Sequence, residues 1–141
     1  MKLRMLFFGL ITTFIIIVTG CSNEIVNEEK IIKIQKRVGN ENKFEDFRKV
    51  TDSKQVIKVK DILHETDWEN AKVDMARPPD YRFTFQYKNS EIKAKAVGYE
   101  LWVSPNKDKI EIVKGTNQYA QLSKENSANL YEIITGDKLG K

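Results

Sequence analysis

The sequence predicts an α+β fold, an antiparallel sheet with two helices packed on one face, and three observations lead there. Tyr81, Phe83, Phe85 and Tyr87 alternate with Arg82, Thr84, Gln86 and Lys88, the period of two that marks a strand buried on one side. Two stretches with helical spacing, one carrying Val56, Val59, Ile62 and Leu63 and the other Ala128, Tyr131 and Ile134, are separated by a run of strand-like segments. The resulting order, β-β-α-β-β-β-β-α, lacks the regular strand–helix alternation of a parallel sheet.

The chain starts with an address. Lys2 and Arg4 precede an apolar run from Leu6 to Val18 that ends at Val18-Thr19-Gly20-Cys21. A basic start and an apolar core of about a dozen residues make a secretory signal, shorter than the ~20 residues a spanning helix needs. The last four residues resemble the bacterial lipobox, which implies a diacylglycerol thioether on Cys21 and cleavage before it. Two acyl chains anchor stably where one is marginal. Cleavage would remove Lys2 and Arg4 and lower the net charge from +4 to +2. The expected organisation is a signal over 1–20, a lipidated Cys21 with a flexible tether to residue 30, and one domain over 31–141. The location it implies is the outer face of the cell membrane.

Each element of the domain has its own signal. Ile32, Ile34 and Val38 share one face of a first strand over Ile31–Val38, and Gly39-Asn40-Glu41-Asn42 turns the chain. Phe44 to Val50 reads as a returning strand, although apolar residues at 44, 47 and 50 have helical spacing. Asp52 with Gln55 three residues on forms a capping box for the first helix, which should fade near His64. A short strand is expected at Lys72–Met75. Arg77-Pro78-Pro79-Asp80 is stiff and aims the chain into the Tyr81 strand. Ile92, Ala94 and Ala96 then point inward at even numbers, but Tyr99, Leu101 and Val103 at odd ones. That switch predicts a β-bulge at Val97-Gly98, with Gly98 in a conformation a β-carbon would strain. Ile110, Ile112 and a strand over Gln118–Leu122 follow. Ser123 caps the last helix, which Gly136 ends in a left-handed turn.

Trp68-Glu69-Asn70-Ala71-Lys72-Val73, Arg77-Pro78-Pro79-Asp80-Tyr81, Leu101-Trp102-Val103-Ser104-Pro105-Asn106-Lys107 and Leu130-Tyr131-Glu132-Ile133-Ile134-Thr135-Gly136 resemble the YhfM-like small lipoproteins of Gram-positive bacteria. The resemblance covers most of the mature domain and agrees with the lipobox. It implies a lipoprotein with no assigned activity, so no catalytic or binding residue is carried over.

Composition narrows the chemistry. One His excludes sites that need two imidazoles, and one Cys excludes an internal disulfide and thiolate zinc clusters. Nothing calls for a cofactor or a metal. His64 has no nucleophile at a useful spacing and reads as a helix-end residue favoured by the dipole. Glu65, Asp67 and Glu69 alternate as in calcium loops but lack the Gly and late Glu of that pattern. Trp102 draws more interest. Pairing Val103 with Asp108 sets Leu101 opposite Ile110 and Trp102 opposite Lys109, on the face that carries Arg82, Lys93 and Lys95. An exposed Trp among cations offers a site for a peptide, an envelope protein or a wall polymer. Nucleic acid is excluded as a partner by the extracytoplasmic address and the charge of +2. The expected function is therefore a membrane-anchored, non-catalytic binding domain using Trp102, Arg82, Lys93, Lys95 and Lys109. The alternative is a small hydrolase working through carboxylates such as Asp74, Asp80 or Glu100, without any GxSxG motif or phosphate loop to support it.

Overall fold

The structure is a computed structural model and describes residues 29–93 and 95–141. Cys21, the signal and the tether up to residue 28 lie outside the described residues, as does Ala94. The elements are β1 (Lys30–Arg37), β2 (Phe44–Val50), α1 (Ser53–Glu65), β3 (Glu69–Asn70), β4 (Tyr81–Tyr87), β5 (Gly98–Val103), β6 (Ile110–Lys114), β7 (Gln118–Gln121) and α2 (Lys124–Thr135). The strands form one antiparallel sheet in the order β2-β1-β4-β5-β6-β7-β3.

Period-two alternation sets the core. Cross-strand partners Ile34 and Phe83, Tyr81 and Leu101, Leu101 and Ile112, and Ile112 and Ala120 all lie on one face. Both helices cover that face, through Val56, Val59, Ile62 and Leu63 of α1 and Leu130, Ile133 and Ile134 of α2. Each buried side chain of this size contributes about 1.5–3 kcal/mol, and together they fix the register. The caps form as the sequence predicts. The Asp52 carboxylate accepts from the Gln55 amide at 2.9 Å and the Ser123 hydroxyl from the Asn126 amide at 3.2 Å. Gly136, at φ 83°, donates its N–H to the Glu132 carbonyl at 2.8 Å. A β-carbon at Gly136 would collide with the Arg48 guanidinium.

Several expectations need correction. The short strand lies at Glu69–Asn70, paired with β7, not at Lys72–Met75. Val38 falls beyond β1 and is exposed. The second helix buries Ser127 rather than Ala128, because the Ser127 hydroxyl accepts from the Ile110 amide at 2.9 Å and satisfies a buried backbone donor. The bulge expected at Val97-Gly98 is absent. Gly98 has no positive φ, and a β-carbon there would touch nothing within 4 Å. The parity switches because residues 92–93 and 95–97 form no strand and β5 begins only at Gly98. A register shift does occur between β1 and β2, where Ile34 faces Arg48 and Gln35 faces Asp46, leaving Phe47 as the extra residue. This shift accounts for the spacing 44, 47, 50. Phe44 stacks under the Arg82 guanidinium, 3.8 Å from its ring centroid, while Phe47 meets Tyr81 at 5.9 Å between ring centroids.

Candidate functional site

Trp102 is buried, with 4% of its surface exposed, so the expected open Trp surface does not exist. The loop between β5 and β6 is two residues longer than the four-residue turn expected. The Ser104 hydroxyl accepts from the amides of Asp108 and Lys109, and the Ser104 amide donates to the Lys109 carbonyl at 2.9 Å. Val103 therefore pairs with Ile110, and Trp102 faces Glu111 instead of Lys109. A shift of two keeps the faces and changes the partners. The Arg77–Asp80 strap then covers the indole, whose Nε1–H donates to the Arg77 carbonyl at 2.8 Å, and Pro79 is buried with it.

Asp80 locks that strap. Its carboxylate accepts from Arg77 at 2.7 Å, from the Val103 amide at 2.8 Å and from Arg37 at 3.1 Å. Arg77 also donates to the Val103 carbonyl at 2.7 Å. Burial pushes the Asp80 carboxyl up, but the hydrogen bonds from Arg77, Val103 and Arg37 outweigh it and hold it below the usual carboxylate range. Arg82 is occupied as well, on Glu100 at 2.9 Å and Asn42 at 3.2 Å. Asp80 and Glu100 are thus both spent on ion pairs.

The opposite end of β4 is open. The ladder between β4 and β5 stops at the pair Thr84–Gly98, so Phe85, Gln86 and Tyr87 run on with β1 alone beside them. A cleft of about 900 Å³ fills the space left by β5. Antiparallel order gathers the starts of β1 and β5 and the ends of β2, β4 and β6 here. Seven lysines line the cleft: Lys30, Lys49, Lys60, Lys88, Lys93, Lys95 and Lys114, together with His64. Among the described residues, no Asp or Glu lines it.

Aromatic rings make the cleft's wall. Tyr99 stacks on Phe83 at 4.9 Å and meets Phe85 edge-on at 6.0 Å; burial raises its phenol pKa. Trp68 is set by the end of α1, where its Nε1–H donates to the Leu63 carbonyl at 3.0 Å and the Thr66 hydroxyl donates to Ile62 at 2.6 Å. These bonds satisfy carbonyls the helix end leaves free. Lysine ammonium groups lie over the rings, Lys30 at 5.0 Å from Tyr87, Lys114 at 5.8 Å from Trp68 and Lys60 at 5.9 Å from Phe85. Lys88 pairs with Glu29 at 2.8 Å, and this hydrogen bond raises the lysine and lowers the acid.

Of the five residues expected to bind, the structure brings Lys93 and Lys95 into this cleft. It leaves Arg82 on the outer sheet face, Trp102 under the strap and Lys109 in the β5–β6 loop. The other five lysines and Trp68 carried no sequence signal, since they are scattered and only the strand order assembles them. Among the described residues, no group of three or more His, Cys, Asp or Glu stands ready to hold a metal, and no helix is long and apolar enough to cross a membrane.

No curated protein and no solved structure matches the chain. The family model described as YhfM protein matches residues 25–139, which takes in both the strap and the cleft, and the chain belongs to the YhfM family.

Proposed function

We propose that this protein is an extracytoplasmic lipoprotein, anchored through diacylglycerol on Cys21, whose domain is a non-catalytic binding module that takes an anionic envelope ligand in the lysine cleft. The observation that carries the reading is the imbalance of charge: among the described residues, seven lysines and no carboxylate line one cleft. Like charges gathered this way repel one another and work against the compact fold. An anion in the cleft relieves that repulsion, and the rings offer a face to an apolar or sugar portion of the ligand.

A hydrolase finds less support. Asp80 is deprotonated and committed to two guanidinium groups, whereas a general acid needs a raised pKa. The smaller recess beside it, about 440 Å³, is lined by that single carboxylate.

Two experiments test the two halves. Metabolic fatty-acid labelling should mark the wild type and vanish in Cys21→Ala; labelling that persists in the variant defeats the anchor. Inorganic polyphosphate, used as an anionic probe, should bind the protein and lose at least tenfold in affinity in Lys93→Gln/Lys95→Gln, with Arg82→Gln unchanged. Equal binding by all three defeats the cleft.

A further inference from the structure

The occupant of the cleft follows from where the chain enters the domain. Glu29 and Lys30 are the first described residues, and both belong to the cleft's rim. Lys30 lines it, and Glu29 accepts from the Lys88 backbone at 2.8 Å and from the Lys88 ammonium at 2.8 Å. Lys30 lies nine positions after Cys21, a span of at most about 30 Å even when fully extended. β1 runs from Lys30 at this end to Arg37 beside Asp80, so an anchor on Cys21 joins the sheet at its cleft end.

The rim suits such a surface. Ile92 and Val97 flank Lys93 and Lys95 in the sequence, and Val97 is 48% exposed. Trp68, Tyr87 and Phe85 stand behind them. Aromatic rings flanked by lysines are the composition that settles at a membrane–water interface, the rings at headgroup depth and the ammonium groups on phosphate. A lipid anchor alone does not orient a domain; a basic patch supplies a second attachment.

We infer that the lysine cleft docks on anionic phospholipid headgroups of the same membrane that carries the anchor, so that the domain lies cleft-down on the bilayer. The chemistry recognised is a phosphodiester, and the source is the lipid. The inference rests on the anchored-lipoprotein reading above.

The test uses the full lipidated chain in vesicles whose acyl chains carry bromine, a short-range quencher of Trp. Trp68 lies in the cleft, and buried Trp102, under the strap at the other end of the sheet, serves as the internal reference. Quenching in phosphatidylglycerol vesicles should exceed that in phosphatidylcholine vesicles at least twofold. The excess should disappear in Trp68→Phe and in Lys93→Gln/Lys95→Gln, and persist in Arg82→Gln. Each lysine brought to an anionic surface is worth roughly a fivefold change in partitioning, so two suffice to abolish the difference. Equal quenching in both lipids, or an excess that survives the double lysine change, overturns the inference. So does reversal by millimolar soluble glycerophosphoglycerol, which assigns the cleft to a free phosphodiester. Fatty-acid labelling of the same preparation separates the two readings, because a labelled chain with equal quenching defeats the docking and leaves the anchor standing.

Discussion

The two ends of strand β4 handle charge in opposite ways. At the Tyr81 end, Arg37 and Arg77 both donate to Asp80, Arg77 and Asp80 bond the backbone of β5, and the result is a strap fastened over a buried indole. At the Tyr87 end, seven lysines share a cleft, and Lys88 alone of them is in a described ion pair, with Glu29 at the rim. The first end spends Arg37, Arg77 and Asp80 on holding the fold together. The second gathers like charges that repel one another. Charge that is paired within the molecule reads as structure, and charge gathered without partners reads as a site.

Mutations at the two ends should therefore differ in size and in sign. Trp102→Ala should cost about 3–4 kcal/mol in denaturant unfolding, because it empties a closed space under the strap. A loss below about 1 kcal/mol would mean that the strap is not a structural element. Asp80→Asn should cost about 2–3 kcal/mol, since it leaves two guanidinium groups and an amide with a poorer acceptor. Its partner effect is a rise in Trp102 accessibility, read as acrylamide quenching.

Acid should unlock the same end. The folded-state pKa of Asp80 is depressed, so its contribution is fully present above the unfolded value of about 3.9 and is lost as pH falls through the lower folded value. Wild-type stability should fall over that acid window more steeply than that of Asp80→Asn. Parallel curves would remove Asp80 from the account. At the other end, Lys93→Gln/Lys95→Gln should change stability by no more than about 0.5 kcal/mol, and toward greater stability. A clear loss would make these lysines structural and erase the contrast.

Much of the fold was legible because its signals are local. Asp52, Ser123 and Gly136 act within one helical turn, and the Tyr81–Tyr87 alternation needs no partner to be read. The errors arose where a distant group decides. The Ser104 hydroxyl lengthens a loop by two residues, and Trp102 changes its cross-strand partner. Phe47 reads as helical spacing until β1 shows it to be an inserted residue. The end of β5 at Gly98 mimics a bulge when only side-chain parity is counted. Burial of Trp102 hinges on Arg77-Pro78-Pro79, which the sequence shows as stiff without showing what it lies on. The site was the least legible part. A net charge of only +4 averages away seven lysines that lie far apart in the chain, and only antiparallel order puts Lys30, Lys60 and Lys114 around one cleft.

The inserted Phe47 has a consequence for how many copies can share a surface. A sheet's outermost strands offer bare N–H and C=O groups to any other strand that approaches. On one side of this sheet that strand is β2, which the insertion kinks and which carries Glu45, Asp46, Arg48 and Lys49 around it. On the other side it is β3, two residues long. Among the described residues, neither border offers a long flat ladder to a neighbour, and such borders disfavour edge-to-edge pairing. Copies of the domain brought side by side therefore find little to pair with along either border.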